Sequence, residues 1–105
     1  MNKSDLEELF AFQLDALGIS YTREVTCIPG RKFRFDFCIK KANLLIEING
    51  GTFTKGAHSS GLGIRRDYEK MRLAQAAGWK VYPFDGHEVR SGEAVEVIRQ
   101  ALEAE

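Results

Sequence analysis

Apolar residues recur at helical spacing near the start of the chain: Leu6, Leu9, Phe10, Leu14 and Leu17, with Gln13 on the same face. Ser4 precedes them and Glu7 stands three residues later, the pattern of a capping box. Gly18 suits the position just past the last turn. A helix is therefore expected over residues 4–17. The pattern then changes to alternation. Ile19, Tyr21, Val25 and Cys27 predict a strand over 19–28, ended by a turn at Pro29 and Gly30. Phe33, Phe35, Phe37 and Ile39 alternate with Arg34, Asp36 and Cys38, as in a strand with one buried face. On that pattern Asp36 leaves the sheet on the face opposite the phenylalanines. Residues 40–43 read as a hairpin turn, and LLIEI at 44–48 as a central strand covered on both faces.

Residues 49–63 are rich in Gly, Ser and Thr and read as a loop, long enough to suggest a function. A helix is expected over 62–77, with Ile64, Tyr68, Met71, Leu73 and Ala74 inward and Gly78 closing it. WKVYPF at 79–84 reads as a strand, Asp85 and Gly86 as a turn, and 92–104 as a last helix. The order is αβββαβα. Three successive strands predict an antiparallel meander, and the helix between the third and fourth strands predicts a parallel pair. The expected fold is α/β (α+β), a mixed four-stranded sheet flanked by helices.

The length of 105 residues suits a single domain, 1–105. At 44% apolar and 29% charged residues the composition is that of a globular domain. A homodimer is one way to add stability to a core this small. No apolar run reaches the ~20 residues that span a bilayer. The amino-terminal segment lacks the basic-then-apolar pattern of a signal peptide, so a cytoplasmic location is expected, without membrane contact. Cys27 and Cys38 lack the clustered spacing of a zinc site and read as reduced apolar residues.

Net charge is zero, but its distribution is uneven. Arg31, Lys32, Arg34, Lys40 and Lys41 crowd the middle, followed by Lys55, Arg65, Arg66, Lys70 and Arg72, while acidic residues gather at the two ends. A neutral chain can still turn a basic face to phosphates. A solvated mixture of charges is the plainer alternative for each residue alone.

Glu47 is the anomaly, a carboxylate inside an apolar run. Burying it costs several kcal/mol unless a cation or a basic partner compensates. If the strands pair through the turn at 40–43, Asp36 and Glu47 become cross-strand neighbours. Two carboxylates held that close repel, and a divalent cation between them resolves the repulsion. Taken alone, Asp36 reads as a solvated strand residue. Lys70 reads equally as a solvated helix charge, Asp67 as a first-turn carboxylate favoured by the helix dipole, and Glu7 as a cap partner. Trp79 reads as core, and His87 as incidental.

A helix-borne Glu, then a strand Asp, then Glu47 on the next strand resembles the PD-(D/E)XK nuclease superfamily, and the resemblance covers nearly the whole chain. Glu47, Gly50 and Gly51, His58, Asp67 and Lys70, then Gly78 and Trp79, look like small phage-type nucleases similar to the very-short-patch-repair endonucleases. The superfamily's lysine, two residues after the Glu, is Asn49 here, which neither acts as a base nor carries charge. The resemblance implies a restriction-endonuclease-like core and an endonuclease hydrolysing DNA phosphodiesters. Mg²⁺, with Mn²⁺ able to substitute, would be held by Asp36, Glu47 and the Ile48 carbonyl, and no organic cofactor is implied. It further implies Lys70 or His58 in place of the missing lysine and a helix-one carboxylate, Glu8 in preference to Glu7. Lys55, Arg65, Arg66 and Arg72 would meet DNA phosphates. If the chain is phage-encoded, the location is the host cytoplasm. Two alternatives stand beside this: a non-catalytic DNA-binding or assembly module with a degenerate nuclease fold, and a dimeric structure-selective nuclease of the Holliday-junction type.

Overall fold

The computed structural model describes residues 1–50 and 61–104, with the side chains of 61–64 left aside. The elements in chain order are α1 (Lys3–Ala16), β1 (Thr22–Val25), β2 (Phe35–Ile39), a single 3₁₀ turn (Lys40–Ala42), β3 (Leu44–Asn49), α2 (Gly61–Ala76), β4 (Lys80–Asp85), α3 (Gly86–Ser91) and α4 (Glu93–Glu103). The strands lie in the order β1-β2-β3-β4. β1 with β2 and β2 with β3 are antiparallel, and β3 with β4 is parallel across α2. The mixed four-stranded sheet flanked by helices is the expected fold, with one helix more than the pattern predicts.

That extra helix is α3. Asp85 accepts from the Glu88 amide at 2.9 Å, and Glu88 accepts from the Asp85 amide at 2.9 Å. The pair forms a capping box. At the start of α1 the cap is Asn2, whose side chain accepts from Asp5 N–H at 2.8 Å, so Ser4 lies inside the helix and caps nothing. Asn caps as well as Ser does, and here it starts the helix one residue earlier. β1 is shorter than expected, and Glu24 within it has φ +54°, the left-handed region that breaks a regular strand.

Two apolar layers sandwich the sheet. On one face Leu6, Phe10 and Leu14 of α1 pack with Val89 of α3 and Ala94 and Ile98 of α4 over Phe37, Ile39, Ile46, Ile48 and Phe84. Gln13 donates from Nε2 to the Val89 carbonyl at 3.1 Å, tying α1 to α3. On the other face Ala74 of α2, with Leu73 beside it, covers Phe35, Cys38 and Leu45. Tyr68, expected inward on α2, is 60% exposed. Cys27 and Cys38 are free thiols. Among the described residues no helix is long and apolar enough to cross a membrane.

The alternation along β2 breaks at Asp36. Phe35 belongs to the α2 layer, whereas Phe37 and Ile39 belong to the α1 layer. The phenylalanines therefore do not share one face, and Asp36 does not simply oppose them. The candidate site is built around this break.

Candidate active site

Glu47 sits between Ile46 and Ile48 on β3, both fully buried in the α1 layer, so strand alternation sends its carboxylate towards α2. The β2–β3 register pairs Phe37 with Ile46, and one step further it faces Asp36 with Glu47. Here side chains take over from backbone pairing. Asp36 N–H donates to Glu47 Oε1 at 3.1 Å, and Ile48 N–H donates to Asp36 Oδ2 at 2.8 Å. Each carboxylate thus bonds the backbone of the other's strand. The expected convergence of Asp36 and Glu47 is present.

Each carboxylate also has its own ammonium group. Lys70 Nζ lies 2.8 Å from Glu47 Oε2, donates to the Arg34 carbonyl, and stands 4.5 Å from the centre of the Phe35 ring. Lys3 Nζ lies 3.0 Å from Asp36 Oδ1 and 2.9 Å from Oδ2. It also reaches Glu7 at 3.2 Å. The two arrangements differ in exposure: the Lys70 side chain is 13% exposed and the Lys3 side chain 48%. Burial pushes the Glu47 carboxyl above its ordinary value and the Asp36 charge adds to this, while Lys70 pulls it down. For Lys3 burial lowers the value, but Asp36 and Glu7 outweigh it and hold the ammonium above its usual range.

The structure thus brings Lys70, on the helix that follows β3, into contact with Glu47. A shallow cleft beside it is lined by Glu47, Asn49, Asp67, Lys70, Met71 and Pro83. Glu8 is not part of the group. Its side chain is 67% exposed and pairs with Arg23 at 2.8 Å. Glu7, one residue back along the helix, is the carboxylate turned towards Asp36 through Lys3, and its side chain is 16% exposed. The helical period decides this: Glu7 is one turn from Lys3, which Glu8 is not. His58 and Lys55 lie outside the described residues. Arg65, Arg66 and Arg72 are exposed along α2. Arg31, and after it Arg72 and Arg66, hold the Glu69 carboxyl below its ordinary value. Arg31 and Arg34 of the basic stretch pair with Glu69 and Glu24, so part of the expected basic face is neutralised within the chain. Trp79 packs with the α2 layer, as a core residue does, and His87 is exposed on α3.

Lys3 is the site residue that the sequence reading missed. One signal was present: a cation in the first turn of a helix opposes the macrodipole and needs a compensating partner. Glu7 at i+4 is one such partner, and Asp36, distant in sequence, is the other.

The donors present suit a hard divalent cation: half-buried carboxylate oxygens from Asp36 and Glu47 on facing strands. A strand residue sends its N–H and C=O towards the same neighbour, so the Ile48 carbonyl turns to the Asp36 side together with its amide. Among the described residues no group of three or more His, Cys, Asp or Glu is placed to hold a metal. Waters would complete the shell, as Mg²⁺ sites ordinarily allow. The residues fit such an ion on one condition, that Lys3 gives up Asp36.

Comparison with known protein-family models gives no match. Comparison with curated proteins also gives none. Among solved structures, the catalytic domain of the homing endonuclease I-Bth0305I is similar, with a TM-score of 0.74 at 19% sequence identity over 94% of each chain. At that identity the likeness shows a shared fold, and the fold is consistent with a restriction-endonuclease-like core.

Proposed function

We propose that this chain is a metal-dependent DNA endonuclease of the PD-(D/E)XK type, with Asp36 and Glu47 as the metal carboxylates. The observation that carries this reading is the direct opposition of the two carboxylates across β2 and β3, with Lys70 bonded to Glu47 from α2. The fold shared with a homing endonuclease catalytic domain supports it.

Hydrolysing a phosphodiester requires an activated water and neutralisation of charge at phosphorus. Mg²⁺ or Mn²⁺, held by Asp36, Glu47 and the Ile48 carbonyl, supplies both when bound. The remaining work falls to side chains. Lys70, 13% exposed and in contact with Glu47, the Arg34 carbonyl and the Phe35 ring, brings an enclosed positive charge to the pair. It takes the charge-stabilising and water-orienting role that Asn49 cannot fill. Arg65, Arg66 and Arg72 on the exposed side of α2 meet backbone phosphates, in contacts that are salt-sensitive and carry little sequence information. His58 and Lys55 remain proposed contributors from the intervening segment.

Nicking of supercoiled plasmid with Mg²⁺ or Mn²⁺ tests this reading on wild type, Asp36→Ala and Glu47→Ala. Loss of cutting in both variants is expected, and undiminished cutting by both overturns the assignment. Four-way junctions, nicked duplex and mismatched duplex in the same assay separate a structure-selective enzyme from a general one.

A second reading is a DNA-binding or assembly module that keeps the fold without catalysis. Asn49 in the lysine position favours it. Calorimetry distinguishes it: such a module binds DNA but takes up no Mg²⁺ at millimolar concentration.

A further inference from the structure

We propose that Lys3 is a built-in occupant of the cation position, an ammonium group that a divalent metal must displace from Asp36 before the site can work. The inference rests on the metal-site reading above and adds a regulator to it. Four observations carry it. Lys3 Nζ contacts both oxygens of Asp36, at 3.0 and 2.9 Å, so its charge sits where a cation bound to that carboxylate would sit. Its placement in the first turn of α1 works against the helix dipole, so the residue is held there by its acidic partners and not by helix preference. Glu7 at 3.2 Å offers a second anchor to which the ammonium can withdraw without leaving the protein. Finally, the Lys3 side chain is 48% exposed, so water can replace its contacts as it leaves Asp36, whereas Lys70 on the other carboxylate is enclosed.

The two lysines therefore divide the work. Lys70 stays with Glu47 through the reaction. Lys3 neutralises Asp36 while no metal is present, which limits the repulsion between the two carboxylates, and it yields when a doubly charged ion competes. Metal affinity is then reduced by the fraction of molecules in which Lys3 holds Asp36. For a partly exposed pair this lowers affinity by up to about fivefold.

The experiment is titration of Mn²⁺ into wild type, Lys3→Met, Lys3→Arg and Asp36→Asn, read by calorimetry and by the metal-induced rise in melting temperature. Methionine keeps the stem that lies against Gly50 but removes the charge, and arginine keeps the charge. Lys3→Met is expected to bind Mn²⁺ up to about fivefold more tightly than wild type and to gain more in melting temperature from the metal. Lys3→Arg should stay close to wild type, and Asp36→Asn should lose binding. If wild type binds Mn²⁺ through Asp36 and Lys3→Met binds no tighter, the inference fails while the metal site stands. If no variant binds Mn²⁺ while all remain folded by melting, the metal reading fails and the inference with it.

Discussion

Three helices cover one face of the sheet and a single helix covers the other, and the candidate site takes one lysine from each side. The α1 layer is deep: Leu6, Phe10, Leu14, Phe37, Ile46, Ile48, Val89 and Ile98 are wholly or almost wholly buried. The α2 layer is thin, with Ala74 as its one fully buried helix residue among those described and Leu73, Trp79 and Val81 half-buried around it. Yet the lysine on the thin side is the fixed one. Lys70 is enclosed by Phe35, the Arg34 carbonyl and Glu47, whereas Lys3 stands half in water at the edge of the deep layer. Depth of core and enclosure of a charged side chain are therefore separate properties. The deep layer supplies most of the buried core, and the thin layer carries the more enclosed of the two lysines.

Substitutions can break this contrast, beginning with the largest effect. Phe10 packs edge-on to Phe37 with ring centres 5.2 Å apart and against Phe84 at 6.1 Å. Phe10→Ala is expected to cost about 3–5 kcal/mol, a large share of the stability of so small a domain. Leu73→Ala on the thin side should cost about 1–2 kcal/mol, since a half-buried side chain loses less apolar contact. Urea melts of both variants measure the difference directly, and equal losses would show the two layers to be equally important.

Lys70→Met comes next. It leaves Glu47 partly buried without its ammonium partner, at an expected cost of about 1–3 kcal/mol. On the proposed function it lowers cutting by about 10²–10³-fold. Lys3→Met, by contrast, removes a partly exposed ion pair and should cost at most about 1 kcal/mol. A melt and a plasmid-nicking assay on both variants decide whether the two lysines differ as their burial suggests.

A pH titration sharpens the same point. The Glu47 carboxyl is raised in the folded protein, so its neutral form is favoured by folding. The stability this contributes is complete below the unfolded value near 4.5 and is lost as pH rises through the folded value. Glu47→Gln should remove that weakly acidic slope from the stability profile. On the proposed metal site, uptake would run the opposite way: it would require the ionised form, so Mn²⁺ binding should weaken as pH falls through the raised Glu47 value. An Mn²⁺ affinity independent of pH in that range would remove Glu47 from the ligand set.

The smallest effects belong to the periphery. A Cβ on Gly50 would stand 3.0 Å from Lys3 Cα and 3.0 Å from Leu6 Cδ1, so Gly50→Ala must shift the start of α1. A loss of about 1 kcal/mol is expected, read as a small fall in melting temperature. Arg99, bonded to Glu96 and Glu103 on the exposed side of α4, should tolerate alanine with no resolvable change.

Much of this was legible in the chain. Leu6 to Leu14 announced a helix, LLIEI a central strand, and Glu47 an ionic partner, because periodicity and burial cost are local properties. The facing of Asp36 and Glu47 followed from a short turn, since register is fixed once the turn is fixed. Other features were not local. Phe35 changes face because β2 gives up its backbone pairing with β3 in favour of the carboxylates, which no alternation count anticipates. The helix Gly86–Ser91 is too short for periodicity to show, although Asp85 and Glu88 already spelled its cap. Lys3 escaped because its partner lies 33 residues away.

The outer strands have a consequence of another kind. Lys80 N–H donates to the Asn43 carbonyl at 2.7 Å, so the even-numbered amides of β4 point inward and position 83 points out. Pro83 therefore removes a donor from the free edge of the sheet, where an incoming strand would need it. At the opposite edge Glu24 interrupts β1 with its left-handed turn of backbone. Neither border presents an unbroken row of hydrogen-bonding groups, so the sheet resists growth by strand addition and the fibrous self-association that follows from it.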